Sequence, residues 1–419
     1  MTQSASLISG VGRVISGFVK VMGAVFIAVV LAGQQIVGAP RENLWDLQTL
    51  ATPPEVFSAP EIPSSDDRIR SLFFAGPTYR GKPTQVFAWI GVPKLAEGAQ
   101  APGIVLLHGA GGTAFESWVK LWLDRGYAAI AIDHWGTLPL PADAKPRPRN
   151  PTGGPAGGSA AFTQLDEPLQ DQWPFQAATA AILAHSLLLA QPGVDPDRTG
   201  VTGVSWGGYL TCLLAGLDPR LKFAVPVYGC GYYEDTIFAA ELAKLPSPES
   251  ALWYVQWDAK NYISEIRIPV LWVNGTNDKY FWLPAWQKSH RQMTDSFSTL
   301  SLRVNMKHGH PPAGDPPEIR AFADSQTGLG PKLPKITGLQ QIDRSVTVDF
   351  QSSESPSSAE LSYSTDASKP WSKRQWLSVP ASLSEHQAQA VLPPEAKFFF
   401  MSIGSERGIT VSTPYQEKP

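Results

Sequence analysis

At 419 residues the chain is longer than one ordinary core, so two domains plus a short accessory segment are expected. Hydrophobic residues at 43% and charged residues at 17% exclude a disordered chain. The net charge of −3, with no long Lys/Arg run, excludes the basic stripe that a nucleic-acid partner requires.

The first forty residues have the pattern of an export signal. No acidic residue precedes Glu42, and Arg13 and Lys20 lead into an apolar run from Val21 to Gly33. That run has the length of a signal-peptide core and falls short of the roughly 18 residues of a spanning helix. Val37 and Ala39 offer a cleavage site after Ala39, but Pro40 is a poor follower, so cleavage nearer Gly33 or an uncleaved anchor stay open. Residues 1–39 are therefore expected to be a signal peptide or N-terminal anchor. The protein is expected to be exported, periplasmic or extracellular, with membrane contact confined to this segment.

Downstream, Arg68 to Lys94 read as strand, turn, strand, with alternating apolar positions and Gly and Pro at the break. Short apolar strands then alternate with helical segments: GIVLL ending at Leu107, YAAIAID from Tyr127, TGVTGV before Ser205, then FAVPVYG, PVLWVNG and LSLRVNM. Gln172 to Gln191 between them is expected to be a long amphipathic helix. Near-continuous apolar strands separated by helices predict a mostly parallel sheet with helices on both faces. Leu138 to Ala161 is too rich in Pro and Gly for regular structure. Its place after a sheet strand makes it a lid or specificity loop, or else a surface excursion. After Gly330, PKLPK reads as a linker. Six short strands then follow, which predict a small β-sandwich of the fibronectin III or Ig-like kind over residues 331–419, after a catalytic domain over 40–330.

The chemistry concentrates at strand ends. Gly203-Val204-Ser205-Trp206-Gly207 is a G-x-S-x-G set between a strand and a helix, where a nucleophile sits on a sharp turn and only residues without bulk fit beside it. His108-Gly109-Ala110-Gly111-Gly112 follows a strand directly, so the backbone N–H of Ala110 (or Gly111) can join that of Trp206 around a developing oxyanion. The chain order serine, acid, histidine then points to Asp278 and His308, each in a loop just past a strand. Glu234 or Asp235 competes for the acid and His310 for the base, and His308 is favoured as nearer its strand end. A metal site at His308 and His310 lacks a third ligand. His134 reads as a cleft-edge residue. Trp253, Trp257, Trp272 and Trp282 fit either an aromatic subsite or packing. Cys212 and Cys230 have no metal-type spacing and read as buried apolar side chains, the alternative being a single bridge between them in an oxidising compartment.

On HGAGG, GVSWGG, NGTND and NMKHGH, the stretch from Arg68 to Ser325 resembles the α/β-hydrolase superfamily, in its dienelactone-hydrolase, acetylxylan-esterase and prolyl-oligopeptidase-like branch. The resemblance implies an α/β-hydrolase fold, a serine hydrolase without cofactor or metal, and the histidine before a glycine, His308, as base. Dienelactone hydrolases carry a cysteine nucleophile, from which Ser205 departs. The expected activity is cleavage of short-chain acyl, above all acetyl, esters of carbohydrate, with a small-molecule or polysaccharide ester as partner. A prolyl-oligopeptidase-like serine peptidase, or a non-catalytic carbohydrate-binding protein on a hydrolase scaffold, is the alternative.

Overall fold

Runs of small and β-branched residues build the central sheet of the computed structural model, which describes residues 44–140, 146–158, 160–294, 297–310 and 314–418. The expected export segment, residues 1–39, lies outside the described residues. From Leu47 to Pro419 the chain forms one unit.

Its first strands, β1 (Val56–Ser58), β2 (Ile69–Tyr79) and β3 (Lys82–Gly91), are antiparallel neighbours. Arg80 and Gly81, both at positive φ, make the turn between β2 and β3. The following strands are β4 (Ala101–Leu107), β5 (Ala128–Ile132), β6 (Val194–Val204), β7 (Phe223–Val227), β8 (Val270–Gly275) and β9 (Ser298–Arg303). They pair in parallel among themselves, and β5 joins β3 antiparallel. The nine strands lie in the order β1-β2-β3-β5-β4-β6-β7-β8-β9. Every residue of β4, β5, β7 and β8 is buried. Successive side chains point to opposite faces, so both faces are covered, and this is why these strands read as unbroken apolar runs.

The main helices over this sheet are α1 (Glu116–Leu123), α2 (Trp173–Leu189), α3 (Trp206–Leu217), α4 (Leu283–Arg291) and α5 (Pro317–Thr327). Helix α2 corrects the expectation of an amphipathic element: all its side chains except Phe175 and Leu189 are buried. It packs on β2, β4, β5 and α3. His185 sits between Asp218 and Thr199, while Gln176 donates to Thr78 O (2.8 Å).

The segment after β5 is neither a free excursion nor wholly irregular. Thr137 bridges Arg149, Asn150 Nδ2 donates to Gln85 O on β3 (2.8 Å), and a one-turn helix (Ala160–Thr163) closes it. Residues 141–145 and 159 lie outside the described residues.

Two antiparallel sheets complete the chain. The first contains β10 (Lys335–Ile342), β11 (Ser345–Gln351), β14 (Ser382–Leu383) and β15 (Gln387–Val391). The second contains β12 (Ser358–Ser364), β13 (Leu377–Pro380), β16 (Phe398–Gly404), β17 (Thr410–Ser412) and β18 (Gln416–Glu417). Val346, Val348 and Phe350 from one and Leu361, Phe399 and Met401 from the other share one core, which makes them a sandwich. Nine strands stand where six are expected. Strand β10 begins at the last residue of PKLPK and pairs with β11 through a bulge near Gly338. The sandwich meets the edge of the large sheet at β9, where Leu302 N–H donates to Ser412 Oγ (2.9 Å).

Candidate active site

Ser205 stands between β6 and α3 at φ 60° and ψ −115°, a conformation unusual for a residue with a side chain. Ser205 N–H donates to Val227 O (2.9 Å), and Ser205 O accepts from Tyr209 N–H (2.9 Å), so both sides of the turn are pinned. The flanking glycines are required by close approach. A Cβ at Gly203 would run into Gly207 O, and one at Gly207 into Leu107 O, across the junction of β4, β6 and α3. The side chain of Ser205 opens into a cavity of about 280 Å³ lined by Gly109, Ala110, Trp206, Phe238, Tyr280 and His308, among others.

Asp278 and His308 meet at that cavity from the ends of β8 and β9. His308 Nδ1 is hydrogen-bonded to Asp278 Oδ2. Asp278 is 1% exposed, and its other oxygen accepts N–H groups of Tyr280 (2.8 Å) and Phe281 (2.6 Å), so the carboxylate is fully engaged on the side away from the histidine. The His308 ring lies between Tyr228 (centroids 4.4 Å apart) and Tyr280 (4.7 Å). Tyr228, at φ 63°, also donates its hydroxyl to Lys307 O (2.7 Å), holding the loop that carries His308.

His310 is held elsewhere. Its Nε2 accepts the Gly109 N–H (2.9 Å), and its ring packs on Phe115 and Trp118. Burial, with His308 nearby, depresses its pKa to about 4, so the ring is neutral and its unprotonated nitrogen faces Gly109. A Cβ at Gly112 would stand 2.7 Å from His310 Nε2, which gives the glycines of HGAGG a second reason: they admit this ring. Gly109 and Ala110 of the one motif and Val204 and Trp206 of the other line the cavity beside Ser205, and the Gly109 amide is taken up by His310.

The other candidates lie apart. Glu234 pairs with Lys260 (3.0 Å) and Asp235 with Lys288 (2.6 Å), and neither is brought to a histidine. His134 is buried, not at the cleft edge. It stacks on His108 (4.0 Å), donates to His108 O and, with Asp133, braces the base of the HGAGG loop. Burial drives the pKa of His134 well below the ordinary imidazole value and that of His108 down to about 3. Trp253, Trp257 and Trp272 are fully buried and, like the partly buried Trp282, are absent from the cavity lining, so they pack and do not form an aromatic subsite there. Cys212 and Cys230 are free and buried. Among the described residues no cluster of His, Cys, Asp or Glu could hold a metal, and no helix is long and apolar enough to cross a membrane.

Sequence reasoning missed Phe238, Lys279 and Tyr280 in the lining and Tyr228 behind His308. Lys279 and Tyr280 follow Asp278 directly and were within reach. Phe238 comes from a segment whose sequence carries no motif.

A family model described as the dienelactone hydrolase family matches residues 88–321, more than half of the chain. Among solved structures, the acetyl xylan esterase from Paenibacillus sp. R4 is 20% identical at a TM-score of 0.50, covering 63% of this chain and 87% of that one. Acetyl xylan esterase 1 from Thermoanaerobacterium sp. JW/SL YS485 is 18% identical at 0.47, covering 65% and 94%. The acylaminoacyl peptidase of Pyrococcus horikoshii is 17% identical at 0.46, covering 59% and 39%. No curated protein matches the sequence. At such identities the likeness of the first structure concerns the fold.

Proposed function

The chain belongs to the dienelactone hydrolase family of the α/β-hydrolase fold, and on that premise we propose that it is a serine esterase cleaving short-chain acyl esters, acetyl esters of carbohydrate first among them. The observation that carries the proposal is the pairing of His308 with Asp278 beside a cavity into which Ser205 opens.

With Asp278 on Nδ1, His308 presents Nε2 as the nitrogen that takes the proton of Ser205 Oγ. The alkoxide adds to the ester carbonyl, and the Ala110 and Trp206 N–H groups receive the oxyanion at the N-terminus of α3. His308 then returns the proton to the leaving alcohol, and an acyl-enzyme remains on Ser205. Water, deprotonated by His308, releases the acid and restores Ser205.

The cavity lining favours a small acyl group. Phe238, packed on Trp206 (5.2 Å), and Tyr280 narrow the cavity beside Ser205. An aminopeptidase-like reading needs a carboxylate to hold a substrate amine, and among the described lining residues there is none. The test is hydrolysis of p-nitrophenyl acetate, butyrate and octanoate by the chain and by Ser205→Ala. The expected result is preference for acetate and a loss of about 10⁶ in kcat for the variant. Activity that survives Ser205→Ala would overturn the assignment.

A further inference from the structure

A chain of hydrogen bonds runs from the sandwich into the loops that carry Asp278 and His308. Asn277 turns its side chain away from the cavity, and its Nδ2 donates to Arg374 O (2.6 Å). Its Oδ1 accepts the hydroxyl of Thr276 (2.8 Å). The same Thr276 oxygen accepts the N–H of Asn305 (3.0 Å), the positive-φ residue of the turn between β9 and His308. Thr276 N–H in turn donates to Arg303 O (3.0 Å). The acid loop and the histidine loop are thus tied to each other through Thr276, and both to the sandwich through Asn277.

The sandwich end of this chain is braced by several contacts. The turn Trp371–Lys373 is a single 3₁₀ helix, and the Arg374 guanidinium lies over the Trp371 ring (3.6 Å) and the Phe398 ring (4.2 Å). Arg374 Nε donates to Lys369 O (3.1 Å), and Trp371 packs edge-on against Phe398 and Tyr415. Arg374 is 8% exposed, so this cation is committed to holding its own turn.

We propose that Asn277 is a positioning residue through which the C-terminal sandwich sets the placement of Asp278 against His308. The role presupposes the Ser205–His308–Asp278 assignment proposed above. It assigns the sandwich to the reaction itself: it fixes the register of the acid and histidine loops. One hydrogen bond contributes modestly to stability, but an error of about 1 Å in a reacting constellation costs on the order of 10²-fold in rate. The contact therefore acts on kcat more than on folding.

The experiment uses the full chain with p-nitrophenyl acetate, together with the rate at which a fluorophosphonate probe labels Ser205. The variants are Asn277→Ala, the near-isosteric Asn277→Asp that cannot donate, Arg374→Ala on the opposite side, and the double variant Asn277→Ala/Arg374→Ala. Each single variant is expected to lower kcat and the labelling rate about tenfold, with KM within about twofold. Arg374→Ala keeps the accepting carbonyl and frees the turn that holds it, so the double variant should be no slower than the slower single one, because both act through the same link. Folded Asn277 variants that turn over and label as fast as the parent would overturn the proposal and leave the esterase reading intact. So would a loss confined to KM, or losses that multiply in the double variant. A parent chain that neither labels nor hydrolyses the ester would sink the triad assignment and this role with it.

Discussion

His308 and His310, two residues apart, are held by opposite kinds of partner: a carboxylate for the first, a backbone N–H for the second. A histidine on a carboxylate can accept a proton and stabilise the resulting charge, whereas one buried as an acceptor is a neutral prop. His308→Ala is therefore expected to remove about 10⁶ of kcat, as removal of a proton carrier in a triad does. His310→Ala should cost much less, roughly 10–100-fold, through loosening of the Gly109–Gly112 loop that presents Ala110. Steady-state kinetics on both variants checks this, and equal losses would mean that His310 handles protons too. The sequence could place both histidines past β9 but could not separate them. The difference lies in residues some thirty and two hundred positions away, Asp278 and Gly109. The same holds for His134, whose burial depends on its stack with His108.

At the scale of elements, the junction of β4, β6 and α3 explains why the nucleophile turn was readable. Gly203 and Gly207 are fixed by contact with backbone, not with flexible side chains, so the motif survives as letters in the sequence. Gly207→Ala would drive Cβ into Leu107 O, which can retreat only if β4 and α3 part. The expected outcome is a destabilisation of several kcal/mol, measurable as a fall of several degrees in thermal midpoint, or failure to fold. A variant with unchanged midpoint and activity would contradict this packing. Elements whose partners lie far along the chain were less legible. Strand β10 was missed because KITGLQQI is mostly polar: it is an edge strand with one exposed face, and its bulge breaks the alternation. Helix α2 was misread because Gln176, His185 and Ser186 suggest a solvent face. In the fold their side chains are buried and donate to the carbonyls of Thr78 and Leu50 or pair with the Asp218 carboxylate. Strands buried on both faces, β4, β5, β7 and β8, were found because burial on two sides leaves only one composition.

For the molecule as a whole, the sign of the acid response follows from its buried histidines. His108 and His290 are lowered to about 3, His310 to about 4, and His134 well below the ordinary value, in each case by burial first. Unfolded, these rings take up a proton near pH 6.5; folded, they refuse it until far lower. The unfolded state therefore binds more protons between about pH 6.5 and pH 4, and stability falls as pH falls through that window, with no contribution above it. Each ring contributes at most about 1.4 kcal/mol per pH unit, so the four together approach roughly 5 kcal/mol per unit. Burial raises the carboxyls of Asp133 and Asp258, which pulls the other way just above their ordinary range and blunts the lower end of the fall. Against a net stability on the order of 5–15 kcal/mol, a fall of that sign across the window is large enough to lower the thermal midpoint measurably. Thermal midpoints at pH 8, 6.5, 5.5 and 4.5 should be level between the first two and drop steeply across the rest. His290→Gln, remote from Ser205, should make the drop shallower by about one ring's share. A midpoint that stays level down to pH 4.5 would mean that these histidines are reached by protons in the folded state and that the interior behind the HGAGG loop is wetter than its packing implies.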